Sequence, residues 1–241
     1  MFASALLLSI IAGLASLLGA FLVIKSQKWI EKNLVYLISF SAGVLVSFAL
    51  NHLIPEAIGL NPNAFLWLTL SFLIFYLIEH TLTIHVCSGK EHCETHETFT
   101  LVTWVGMMLH SLIDGLIIGI GFEVSTRLGI VSALAVLLHR LPDGVSTVAA
   151  QLYGDRTIKQ ATRSSFWVAL MTPVGTILAF LLLGQISENG IGILLALAGG
   201  SFLYVGASEL IPEIHRHSKW GNIVLTILGA CVPFLIEKIV G

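Results

Sequence analysis

The sequence predicts an all-α integral membrane protein with eight transmembrane helices. Hydrophobic residues make up 56% of its 241 residues and charged residues only 11%, whereas soluble domains usually contain about 25% charged residues. Eight apolar segments reach the length of about 20 residues that a helix needs to cross a bilayer. They cover about residues 2–24, 34–57, 64–86, 99–122, 128–152, 162–184, 190–213 and 221–240. We therefore expect a single transmembrane domain over residues 1–241, built of helices because open strands cannot cross lipid.

The basic residues are distributed unevenly between the loops that join these segments. Cytoplasmic loops are enriched in Lys and Arg, and the first, third, fifth and seventh loops hold most of them. We therefore predict that these loops are cytoplasmic and that both termini lie outside the plasma or inner membrane. The first segment lacks the preceding basic residues of a secretory signal, so we expect it to be retained. The basic residues of the four loops are Lys25, Lys28, Lys32, Lys90, Arg156, Lys159, Arg163, Arg216 and Lys219.

The third loop, at about residues 87–98, is rich in His, Cys and Glu. Such tracts can hold zinc or similar ions loosely, but a solvated acidic loop with incidental histidines explains the same composition. The three cysteines of the chain are too few for a disulfide framework. The residues concerned are His85, Cys87, His92, Cys93 and His96, with Glu91, Glu94 and Glu97 between them.

Two pairs of short motifs recur in helices that are predicted to run in opposite directions. Residues 51–56 (Asn-His-Leu-Ile-Pro-Glu) resemble residues 208–213 (Ser-Glu-Leu-Ile-Pro-Glu), and residues 110–115 resemble residues 139–144. Like motifs in oppositely directed helices are typical of transporters with an inverted repeat, whose substrate site lies near the bilayer midplane. We therefore predict an inverted-repeat bundle of three, two and three helices.

The predicted fourth and fifth helices each carry a histidine and an aspartate one helical turn apart. His110 and Asp114 share one face, as do His139 and Asp143. Ionisable groups inside a membrane are costly and usually functional. If the two helices face each other, two imidazoles and two carboxylates form a ligand set that suits zinc and tolerates iron, manganese or cadmium. The alternative is that each pair is a hydrogen-bonded couple that satisfies itself within the bundle.

Glycine and proline next to these residues predict local backbone features. Gly115 and Gly144 directly follow the two aspartates, where they permit a close backbone approach or a local opening of the helix. Pro142 leaves the carbonyl of Leu138 without its helical donor, so this oxygen is a candidate polar lining of the site.

The motifs together resemble the ZIP (Zrt/Irt-like) family of metal transporters. The resemblance rests on His-x-x-x-Asp-Gly at 110–115, His-x-x-Pro-Asp-Gly at 139–144, the two Leu-Ile-Pro-Glu segments and the His-bearing third loop. It implies a transporter, not an enzyme, that moves zinc or related divalent ions into the cytoplasm through a site on helices 4 and 5. The expected partners are divalent metal ions and the lipid bilayer, with a homodimer allowed; no basic run suggests nucleic acid.

The sequence departs from the family where many members build a second metal site. At those positions this chain has Ser111, Arg140 and Thr172, so only the site of His110, Asp114, His139 and Asp143 is expected to remain. A buried guanidinium needs anionic partners. We hypothesise that Arg140 pairs with the two aspartates in place of a second metal. In the alternative, Arg140 turns away to the membrane surface or to Glu209.

Four further residues are candidates for a metal path. His52 and Glu56 are predicted near the outer end of helix 2, and Glu209 and Glu213 near the inner end of helix 7. Polar groups at helix ends that only anchor the helix at the interface explain them equally well.

A zinc-dependent hydrolase within the membrane is the rival class. Arg140 stands where a His-Glu-x-x-His protease needs its general base, but a ceramidase-like amidase that uses Ser111 to polarise a carbonyl remains an alternative. A third alternative is a metal sensor without flux, which would favour ligands in soluble loops.

Overall fold

The protein is helical throughout the part of the chain that the structure describes. The structure, a computed structural model, describes residues 1–87, 95–153, 155–183, 186–216 and 219–240. Its helices are α1 (Phe2–Lys25), α2 (Gln27–Phe48), α3 (Ile54–Leu60), α4 (Ala64–Cys87), α5 (Thr95–Val124), α6 (Thr126–Tyr153), α7 (Ile158–Leu183), α8 (Glu188–Leu203), α9 (Ile211–Arg216) and α10 (Trp220–Val240). Two π-helical stretches, Ala49–Leu53 and Tyr204–Leu210, join α2 to α3 and α8 to α9.

The helices have the lengths and hydropathies of membrane spans. Within the described residues, seven stretches are long and apolar enough to cross a bilayer, and α4 contributes the shorter apolar stretch Ala64–Ile78 within a helix of 24 residues. The all-α integral membrane class is therefore confirmed. The predicted first loop is wrong in extent: Ser26 alone separates α1 from α2, so Lys28 and Lys32 lie on the first turns of α2.

The helix contacts repeat between the two halves of the chain. α1 packs against α6 as α7 packs against α5, and α2 packs against α10 as α8 packs against α4. Exchanging α1, α2 and α4 with α7, α8 and α10 in that order, and α5 with α6, reproduces these contacts. The packing therefore agrees with the inverted repeat of three, two and three helices. α1, α5, α6 and α7 form one group of helices, and α2, α4, α8 and α10 form a second beside it.

The recurring Leu-Ile-Pro-Glu motif lies at equivalent points of the two halves. In each half a π-helical stretch ends two residues before the proline, Pro55 in one and Pro212 in the other. Proline lacks an N–H and its ring clashes with the carbonyl one turn earlier. The wider π turn takes up this mismatch without ending the span.

Gly115 and Gly144 allow two close helix contacts. A Cβ atom on Gly115 would overlap the Thr172 carbonyl of α7, and one on Gly144 would overlap the Ser16 carbonyl of α1. Both glycines lie inside continuous helices. The prediction of close backbone approach is therefore confirmed, and the alternative of local helix opening is wrong.

The carbonyl that Pro142 leaves unpaired is bound by another helix. Ser41 of α2 donates its hydroxyl hydrogen to the Leu138 oxygen over 3.2 Å. A buried carbonyl needs such a donor. The Leu138 oxygen therefore joins α2 to α6, and its use as a polar lining of the site stays a prediction.

Candidate metal centre

Four side chains of α5 and α6 converge in the interior of the bundle. Each of His110, Asp114, His139 and Asp143 offers a ligand atom, and these atoms all lie within 4.8 Å of one another. Both histidines approach both aspartates. The alternative in which each histidine is hydrogen-bonded only to the aspartate of its own helix is therefore wrong. The helices bring the two halves of the ligand set together because α5 and α6 pack against each other directly after the one-residue turn at Ser125.

Four nitrogen–oxygen distances within the cluster are close to those of a tetrahedral metal site. His139 Nε2 lies 3.2 Å from Asp114 Oδ2 and 3.6 Å from Asp143 Oδ2. His110 Nε2 lies 3.7 and 3.6 Å from the same two oxygens. Bonds of about 2.1 Å from a tetrahedral zinc ion to nitrogen and oxygen put neighbouring ligand atoms about 3.4 Å apart. The four nitrogen–oxygen distances therefore fit one ion of this size.

A backbone hydrogen bond orients the ring of His139. Its Nδ1 lies 2.9 Å from the Ala135 carbonyl oxygen, and only the nitrogen can supply the hydrogen. The neutral ring then presents the Nε2 lone pair to the aspartates. Histidines that bind metals usually donate their other N–H in this way, which fixes the tautomer and the ring orientation.

Two of the four side chains in the cluster are more exposed than the other two. The side chains of Asp143 and His110 are 19% and 10% exposed, whereas those of Asp114 and His139 are 0% and 1% exposed. The more exposed pair lies nearer the beginning of α5 and the end of α6. The Phe202 ring contacts both imidazoles, with ring centroids 6.4 Å from His110 and 5.5 Å from His139.

Arg140 is fully buried beside the two aspartates. Its Nε lies 3.5 Å from Asp114 Oδ2, its Nη1 lies 3.6 Å from Asp143 Oδ2, and its Nη2 donates a hydrogen bond to the hydroxyl of Thr172. The guanidinium therefore faces the carboxylates, and the alternative of a side chain turned to the membrane surface is wrong. The side chain of Glu209, the other proposed partner, lies outside the described residues.

Three of the path candidates, His52, Glu56 and Glu213, do not join the cluster. His52 is buried next to Phe48 and Phe234, and Glu56 is half-buried near the end of the same span. Glu213 pairs with Arg216 over 3.1 Å on α9. The metal-path roles of these residues remain predictions. The side chains of the third-loop cluster and of Glu209 lie outside the described part of the structure.

Sequence reasoning missed three residues around the site, namely Phe202, Ser41 and the role of Thr172 as the hydrogen-bond partner of Arg140. All three contact residues from distant parts of the chain, and no repeating pattern in the sequence indicates these contacts. Ser111 has a different role from the one considered in the amidase reading. Its hydroxyl is buried and donates to the Met107 carbonyl over 2.8 Å, so its hydrogen is directed along α5.

A buried set of two histidines and two aspartates inside helices of membrane length is typical of integral membrane proteins that handle metal ions. The sequence matches the model of the ZIP zinc transporter family over residues 2–97 and 86–237. The chain therefore belongs to this family. Membership of a family of transporters agrees with the prediction that the chain is not an enzyme and weighs against the amidase.

Several curated relatives are similar to the chain. Zinc transporter ZIP9 of Micropogonias undulatus is 25% identical over 70% of this chain and 62% of its own length. Zinc transporter ZIP10 of Danio rerio is 29% identical over 58% of this chain and 18% of its own length. Metal cation symporter ZIP14 of Homo sapiens is 25% identical over 95% of this chain and 63% of its own length. The chain thus spans less than two thirds of each of these relatives.

Proposed function

We propose that this protein transports divalent metal ions, with zinc as the main substrate, into the cytoplasm through His110, Asp114, His139 and Asp143. The observation that carries the proposal is the convergence of these four ligands within 4.8 Å inside two membrane-spanning helices. Two imidazole nitrogens and two carboxylate oxygens complete a tetrahedral zinc shell. Iron, manganese and cadmium accept the same donor types. The names of the relatives, zinc transporter and metal cation symporter, support the same substrate class.

The direction of transport is inferred from charge and exposure together. The more exposed ligands, His110 and Asp143, lie toward the end of the bundle where α6 ends and α7 begins. The basic residues Arg156 and Lys159 lie at the same end, and such residues favour the cytoplasmic side. An ion released toward this end would enter the cytoplasm. Both termini would then face outward, in the plasma or inner membrane of the cell.

Arg140 acts in this proposal as a fixed cation in place of a second metal. The two aspartates contribute a charge of −2 and the guanidinium +1, so the site carries −1 without a bound ion and +1 with a divalent ion. A pair of aspartates without the arginine would hold the ion more tightly. The arginine therefore weakens binding enough for the ion to be released.

Zinc uptake into liposomes that contain the purified protein tests the proposal. We expect zinc to enter without any added lipid substrate, and Asp114→Ala to abolish entry. Glu188→Ala is the matched control, because this carboxylate is exposed at the beginning of α8. Competition by iron, manganese and cadmium ranks the substrates. If folded wild-type protein admits no zinc, or if Asp114→Ala admits it as fast as wild type, the proposal is wrong.

A further inference from the structure

The guanidinium of Arg140 lies beside the metal ligands without forming hydrogen bonds to them. Its Nε and Nη1 atoms are 3.5 and 3.6 Å from the Oδ2 atoms of Asp114 and Asp143. Among the described residues, neither nitrogen has a hydrogen-bond partner. The hydrogen bond that Arg140 does form runs from Nη2 to the hydroxyl of Thr172. One threonine of α7 thus holds the end of this side chain.

This separation matters because arginine and carboxylate groups bind each other strongly. In an ordinary bidentate pair the nitrogen and oxygen atoms lie about 2.7–2.9 Å apart. A guanidinium in that position would occupy the Oδ2 atoms of Asp114 and Asp143. These are the same oxygens that the two histidines face. A bidentate pair would therefore compete directly with a metal ion for the aspartates.

The position of Thr172 is fixed by the packing of α7 on α5. Gly115 and Gly175 allow the two backbones to approach so closely that a Cβ on either glycine would overlap the opposite helix. The hydroxyl of Thr176 adds a hydrogen bond of 2.9 Å to the Gly115 carbonyl. Thr172 is itself fully buried. Its hydroxyl is consequently held by rigid packing and not by a mobile side chain.

We propose that Thr172 is a positioning residue that holds Arg140 near the two aspartates while keeping it from binding them. The carboxylate oxygens then remain available to the ion, and the positive charge remains close enough to limit its affinity. This inference rests on the proposed function, since it assumes that the cluster binds a divalent cation.

Zinc binding to the full-length protein in detergent, measured by equilibrium dialysis with radioactive zinc, tests this role. Thr172→Val keeps the shape and removes the hydroxyl. We expect zinc to bind about tenfold more weakly, because the loss of one hydrogen bond to a charged group corresponds to about that factor or more. Thr172→Ser keeps the hydroxyl and should bind zinc as wild type does. Ser165→Ala removes another buried hydroxyl of α7, one that donates to the Ala161 carbonyl, and should also bind zinc as wild type does.

A double variant separates positioning from a purely structural role. With Arg140→Met added to Thr172→Val, no guanidinium can occupy the aspartates, so zinc affinity should return to at least the wild-type value. If Thr172→Val binds zinc as wild type does, or if the double variant stays as weak as Thr172→Val, the inference is wrong. A wild-type protein that binds no zinc would instead contradict the proposed function. Thermal unfolding of each variant identifies any that are not folded.

Discussion

Replacing Arg140 by methionine removes the guanidinium charge and retains a long side chain that fills the same space. Arg140 is fully buried between the two aspartates and Thr172. Its removal leaves the four proposed metal ligands in place and takes away the positive charge nearest to the proposed ion. We therefore expect Arg140→Met to bind zinc more tightly than wild type and to release it more slowly.

The structure gives a magnitude for this effect. Because Nε and Nη1 lie 3.5 and 3.6 Å from the two Oδ2 atoms, an ion bound to these oxygens would lie about 4–5 Å from the guanidinium. Two unit charges about 4 Å apart interact by about 1 kcal/mol in water and about 4 kcal/mol at an effective dielectric constant of about 20. Because the ion carries two charges, its repulsion from the guanidinium is about 2 kcal/mol even with the dielectric constant of water. Removing this repulsion lowers the dissociation constant about thirtyfold.

Equilibrium dialysis gives the dissociation constant, and flux into liposomes made from the same preparation gives the rate of release. Arg127→Met is the matched control, because this arginine lies at the beginning of α6 and pairs with Glu237 over 2.6 Å, outside the site. Arg127→Met removes one positive charge, as Arg140→Met does, and should leave zinc affinity unchanged. An unchanged or weaker zinc affinity in folded Arg140→Met would refute the reasoning.

Stoichiometry provides a second readout for the same residue. Elemental analysis should find one ion in the wild-type site, since Arg140 takes the place of a second cation. Arg140→Glu supplies a third carboxylate and should allow a second ion to bind. Two ions in the wild-type site would contradict the role of Arg140 as a fixed cation.

Two further predictions concern the ligands and the orientation. Asp143→Ala should reduce zinc affinity at least about tenfold in a folded protein, because it removes one of four ligands; unchanged binding and flux would exclude Asp143 from the site. In a variant without the native cysteines, Lys159→Cys should react with an impermeant thiol reagent only from the cytoplasmic side, and Gly59→Cys only from outside. Both positions are exposed. Reversed labelling would reverse the proposed direction of transport.

Local patterns in the sequence predicted the helices and the two pairs of proposed ligands, one pair on each helix. Hydropathy and length identify the spans because lipid excludes unpaired backbone groups over a fixed thickness. The spacing of four residues places His110 with Asp114, and His139 with Asp143, on one helix face without any tertiary information. The recurring motifs also predicted the repeat that the helix contacts reproduce.

Local sequence patterns could not predict which side chains contact each other between helices. The sequence predicted that Pro142 would free the Leu138 carbonyl but not that Ser41 would bind it, 97 residues away. It also left Arg140 with two alternatives, facing the aspartates or turning away. The hydrogen bond to Thr172, 32 residues along the chain, depends on how closely α7 approaches α5.

The sequence by itself thus determined an all-α membrane protein with a repeated histidine and aspartate motif, because span length and helical periodicity are local properties of the chain. Only the tertiary structure decided that the side chains of the two motifs come together in one cluster and that Arg140 lies beside it. The physical reason is close packing. The glycines at 115 and 144 let α7 and α1 approach the two ligand helices until side chains from distant segments touch, and such distances follow from the shapes of whole helices.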